Sequence, residues 1–71
     1  MRHQEINFSP YSNNVLDYTN NDKLETPDGN PVNITQSGLD FIIVIGHELY
    51  HTNCNLEASY ILNTHQVGIK T

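Results

Sequence analysis

One cysteine, three fixed cations, no tryptophan and no long apolar run set the first limits on this 71-residue chain. Cys54 has no second cysteine to pair with, so an intramolecular disulfide is excluded. Arg2, Lys23 and Lys70 face eight aspartates and glutamates, giving a net charge of −5. No basic patch for a phosphate backbone can be assembled from three scattered cations, and nucleic acid is not an expected partner. An acidic balance instead favours cations, metals included. The longest apolar run, Leu39 to Gly46, carries Asp40 and is far too short to span a bilayer, so no membrane partner is expected. Met1-Arg2-His3-Gln4-Glu5 leads into no apolar segment, so no secretory signal is expected and the compartment stays open. A chain this short is one small domain over residues 1–71, or a piece of a longer protein. Its core is limited, so a metal, an oligomer or flanking chain would help hold it.

What is present is asparagine, ten times and seven of them before residue 35, which favours turns over long helices in the first half. Residues 4–8 alternate polar and apolar with Ile6 and Phe8 on one face, which predicts a short strand ending at Ser9-Pro10. Tyr11 to Asn14 is an expected turn, and Val15 to Tyr18 an expected second short strand. Residues 19–37 read as a polar loop centred on Pro27-Asp28-Gly29-Asn30-Pro31.

The second half changes character. Ser37-Gly38-Leu39-Asp40 has the form of a capping box, with Ser37 at the N-cap and Asp40 three residues on. Phe41-Ile42-Ile43-Val44-Ile45, taken alone, reads as a buried strand because it is rich in β-branched residues. The cap, and the helical spacing of Phe41, Val44, Ile45, Glu48 and Thr52, favour a mostly buried helix over residues 38–53. Asn53 or Asn55 in a left-handed conformation would end it. Leu56 to Asn63 predicts a second short helix with Leu56, Tyr60 and Ile61 on one side, followed by a short, partly apolar tail.

Within the first helix lies the most specific pattern in the chain, His47-Glu48-Leu49-Tyr50-His51, the HExxH pentapeptide. On a helix, residues four apart share a face, so His47 and His51 would ligate one Zn2+ ion. Glu48 would then act as the catalytic base on a zinc-activated water. A third protein ligand is required, and Glu57, six residues after His51, is the first candidate. Cys54 falls on the histidine face if the helix continues through it and would make a closed, more structural site. His65 is a more distant candidate, and His3 has no local support. Tyr50 points away from the ligand face and reads as packing. Tyr60 could donate a hydrogen bond to an oxyanion, though packing is again the plainer role.

The stretch Asp40 to His51 resembles the active-site helix of zincin metallopeptidases, and is most like the effector-type zinc metallopeptidases of bacterial type III effectors and polymorphic toxins. The likeness covers roughly residues 25–57. It implies His47 and His51 as ligands, Glu48 as base, a peptide or protein substrate, and a protein that is secreted or delivered. The six-residue interval to Glu57 is similar to that of metzincins, and a glutamate ligand on a later helix is similar to gluzincins. The expectation is therefore an α+β chain, a minimal or truncated zincin-like fold with short N-terminal strands, an HExxH helix and a second short helix. Its expected function is zinc-dependent peptide hydrolysis. The alternative is a non-catalytic metal-binding or protein-interaction domain.

Overall fold

The run Phe41–Ile45 forms a strand, and glycines explain why. In the computed structural model, which describes residues 2–9 and 11–71, Gly38 and Gly46 bracket this run with φ of +62° each. Each opens a two-residue loop, Gly38-Leu39 and Gly46-His47, between paired residues Ser37↔Asp40 and Ile45↔Glu48. Glycine first in a two-residue loop is the hairpin signature whose twist matches the flanking strands. Two such turns eight residues apart cut the expected helix 38–53 into strands β4, Asp40–Ile45, and β5, Glu48–Thr52. They also convert the apparent capping box into a hairpin loop.

The burial confirms the change of period. Phe41, Ile43 and Ile45 are buried while Asp40, Ile42 and Val44 are half-exposed, an alternation of two rather than 3.6. Strand β3, Val32–Ser37, pairs antiparallel with β4 on its other side and buries Val32 and Ile34. It lies inside the stretch expected to be loop, as does the two-residue strand β2, Leu24–Glu25. The sheet order is β3-β4-β5, with β4 central.

The second sheet joins the two ends of the chain. Strand β6, Gly68–Lys70, lies between β1, His3–Glu5, and β2, antiparallel to both. Gly68 is required here for space. A Cβ at this position would stand 2.2 Å from the Gln4 carbonyl oxygen. The expected first strand thus starts one residue early, while Ile6 and Phe8 beyond it are buried as their alternation predicts. Pro10, expected to end that strand, lies outside the described residues. Val15–Tyr18 forms a 3-10 turn capped by the Asn14 side chain, which accepts from the Leu16 N–H, rather than a strand. Asn14 and Asp17 favour this local bonding over an extended backbone.

The second predicted helix is present as α1, Asn55–Thr64, but it turns a different face inward. Ala58, Ser59 and Leu62 are buried, whereas Leu56 and Tyr60 are exposed and Ile61 is half-buried. Asn53 and Asn55 are not left-handed. Gln66 is, at φ +53°, and it ends the helix. Val67 N–H donates to the Leu62 carbonyl and Gln66 N–H to that of Asn63, the paired bonds of a Schellman cap without glycine. The turn delivers Val67 into the core and the chain into β6. One core, built from Phe8, Val15, Leu24, Ile34, Ile43, Leu62, Val67 and their neighbours, serves both sheets and the helix. The architecture is a small α+β fold of two three-stranded sheets and one helix. No helix among the described residues is long and apolar enough to cross a membrane.

Candidate functional site: the edge strand and its cleft

Extended backbone separates the residues that a helix would have gathered. A strand rises about 3.3 Å per residue against about 1.5 Å in a helix, so His47, in the loop, and His51, on β5, do not stack one turn apart. His47 occupies the exposed tip of the β4–β5 loop. His51 projects from the outer face of the sheet, where its Nε2 lies 3.5 Å from Asp40 Oδ2. Glu48 points to the opposite face, with Tyr50 and the buried Thr52. Glu57 is exposed in the first turn of α1, and Cys54 is exposed at its N-cap without a capping side-chain bond. Among the described residues no three His, Cys, Asp or Glu side chains come together as a metal-binding group.

The fold joins Glu48 to Tyr50, and Tyr50 to a different histidine. Tyr50 donates its hydroxyl proton to Glu48 Oε2 at 2.7 Å, and the Tyr50 hydroxyl oxygen lies 3.3 Å from His65 Nε2. The two rings meet edge to face with centroids 5.5 Å apart. His65 is the C-cap of α1, and its Nδ1 lies 2.9 Å from the Ile61 carbonyl, a donor's position. The hydrogen bond to Glu48, partial burial and the negative charge of Glu48 all hold the proton on Tyr50, raising its pKa above the ordinary 10.0. Tyr50, expected only to pack, therefore ties β5 to the end of α1. Tyr60 is exposed and stands apart from this group.

Glu48 and His65 line a cleft of about 390 Å3 with Thr26, Asp28, Asn30 and Gln66. The loop opposite is fixed by its own bonds. The Thr26 hydroxyl donates to Asp28 Oδ1, Asn30 Nδ2 donates to Asp28 Oδ2, and the Asn30 N–H donates to Thr26 Oγ1. The cleft thus presents two carboxylates and no fixed cation, a setting suited to a positively charged or hydroxyl-rich group. Sequence reading placed Asp28 in a loop and saw no role for it, because nothing local joins it to Glu48. His3, likewise without local support, bridges the second sheet: Nδ1 lies 2.9 Å from Glu25 Oε2 and Nε2 3.0 Å from the Gln66 carbonyl.

Strand β5 is also an open edge. Ile45 and Glu48 flank a two-residue loop and form a hydrogen-bonded pair, so alternate residues Leu49 and His51 direct their peptide groups away from β4. Among the described residues no backbone group bonds to them there. The other edge, β3, is covered: Asn20 N–H donates to the Ile34 carbonyl, and Pro31 bridges to Glu25. Natural sheets guard open edges with charged side chains, proline or a bulge, and from Leu49 to Thr52 β5 has no lysine, arginine, acid, proline or bulge. Leu49 is 68% exposed beside the half-exposed Ile42 and Val44 on the outer face. Comparison of the chain with protein-family models, with curated proteins and with solved structures gives no match.

Proposed function

We propose that this chain is a non-catalytic protein-interaction domain that takes up an extended segment of a partner by strand addition to β5. The observation that carries the reading is the unguarded edge: the peptide groups of Leu49 and His51 face away from the sheet without partners among the described residues. Main-chain hydrogen bonds to such an edge supply affinity, and side chains alternating across it supply selectivity. Leu49, Ile42 and Val44 offer the apolar contact on the outer face. The test is amide hydrogen exchange during titration with short synthetic peptides of alternating β-branched residues. Exchange at Leu49 and His51 should slow as the peptide binds, and the peptide should remain uncut. Unchanged exchange at both amides throughout the series would overturn strand addition.

Zinc-dependent peptide hydrolysis by His47, His51 and Glu48 is the second reading, favoured by the pentapeptide itself. It requires residues 40–53 to leave the hairpin for a helix, since helical spacing is what brings two imidazoles four residues apart to one ion. Circular dichroism with added zinc separates the readings. A gain of helical signal, lost in His47→Ala and His51→Ala, would favour the hydrolase. An unchanged spectrum favours the binding domain.

A further inference from the structure

We infer that the segment received by β5 is a basic one, with lysine or arginine flanking a short apolar stretch; the inference rests on strand addition as the mode of binding. Charge is divided unevenly in this molecule. Residues 24–69 contain no lysine or arginine; Lys70 lies on β6, and Arg2 and Lys23 immediately precede β1 and β2 of the same sheet. Lys70 lies on β6 with its N–H bonded to the Lys23 carbonyl, and Arg2 N–H bonds to the carbonyl of Thr71. The β3-β4-β5 side carries only acids.

Those acids bracket the open edge. Glu48 begins β5 and faces the cleft that also holds Asp28. At the other end, Asp40 stands beside His51 on the outer face, and Glu57 follows in the first turn of α1. Between them the edge is apolar or neutral: Leu49, Tyr50, His51 and Thr52. Directly opposed side chains on paired strands stand about 5 Å apart at Cβ, within reach of a lysine or arginine head group. A cationic residue opposite Glu48 would enter the cleft between Glu48 and Asp28. A cation at the far end would meet Asp40 or Glu57. A second copy of this chain is disfavoured as the occupant, because antiparallel pairing of two β5 strands would set Glu48 of each copy at the end where the other carries Asp40 and Glu57.

The experiment compares two fluorescent peptides sharing a core of alternating valine and threonine, one flanked by arginines and the other by glutamates. Anisotropy against the full chain should show the arginine peptide binding about tenfold tighter at low salt, with the difference shrinking as salt rises. Equal affinity for the two would overturn the charge selection while leaving strand addition in place. Binding of neither would overturn strand addition itself. His51→Pro removes an outward N–H that the β4 ladder does not use, so it should block binding with the hairpin kept. Leu49→Lys, a charge placed on the open edge, should weaken binding as a second check. Retained binding in both variants would remove β5 as the site. A concentration-dependent dimer abolished by His51→Pro would identify a second copy as the occupant and overturn the inference.

Discussion

The side chain of Asn63 grips both backbone groups of Phe8. Its Oδ1 accepts from the Phe8 N–H at 3.0 Å, and its Nδ2 donates to the Phe8 carbonyl at 2.8 Å. One amide thereby does what a neighbouring strand would do, fastening the segment after β1 to the last turn of α1. Phe8 is then held in the core, edge to face with Tyr18.

Replacing Asn63 by Asp keeps the acceptor but sets a carboxylate oxygen against the Phe8 carbonyl. The expected cost is about 1–3 kcal/mol, the penalty for an unsatisfied, partly buried polar group. Asn63→Leu should cost a similar amount, since both Phe8 groups lose their partner. Urea denaturation of the two variants measures it, and wild-type stability in both would show that the clamp contributes nothing.

Gly68 should be the least replaceable glycine. An alanine methyl there would meet the backbone of Gln4 and Glu5, at 2.2–2.8 Å, so β1 must shift away from β6. The expected loss is about 3 kcal/mol, at the upper end for overpacking. Gly38→Ala meets open space and bears only the strain of a positive φ, about 1–2 kcal/mol. Thermal melts of the pair should therefore rank Gly68→Ala below Gly38→Ala, and the reverse order would refute the close approach of β1.

Alanine substitutions along β4 should alternate. Ile43 is completely buried, so Ile43→Ala should cost about 2–5 kcal/mol, while its half-exposed neighbour Ile42 costs clearly less. Leu49→Ala on β5 should stay within about 0.5 kcal/mol of wild type. A helical pattern of sensitivity, with Val44 as costly as Ile45 and Ile43 spared, would speak against the hairpin.

Tyr50 should titrate above the ordinary tyrosine range, and Glu48→Gln should bring it down by removing the negative acceptor. The linked effect on stability has a definite sign. A folded-state pKa raised above the unfolded value means that the folded chain holds the proton more tightly. The stabilisation is complete below about pH 10 and is lost as pH rises through the folded pKa. Phenolate absorbance, taken as the difference between wild type and Tyr50→Phe, reads the titration. Equal titration of Tyr50 in wild type and Glu48→Gln would exclude the assigned cause.

The cleft residues and the edge strand were legible to different degrees. The sequence singles out Glu48 as a base on a zinc-activated water and His65 as a distant ligand candidate, with nothing to join either to Tyr50. Helical and extended readings of residues 40–52 compete because each is locally consistent. Ser37 and Asp40 resemble a cap, and Phe41, Val44 and Ile45 fit a helical stripe. Gly38 and Gly46 were the discriminating signal, each heading a two-residue loop with β-branched residues between them. The cleft role of Asp28 and the bridge made by His3 have no local pattern, since Glu48 lies 20 residues from Asp28 and Glu25 lies 22 from His3 along the chain.

By itself the sequence determined a small, acidic chain without disulfides, the burial of Ile6 and Phe8, and a helix after Asn53. Those follow from composition and from patterns read over a few residues. The tertiary structure decided which period the Phe41–Thr52 segment obeys. In an extended strand adjacent residues face opposite ways and residues four apart are far apart, so Glu48 turns to Tyr50, which also meets His65, while His51 turns outward to Asp40. Strand pairing with β3 satisfies the peptide groups on one side of β4, and pairing with β5 those on the other. No local pattern can show that satisfaction, because the partners are supplied by chain folded from elsewhere.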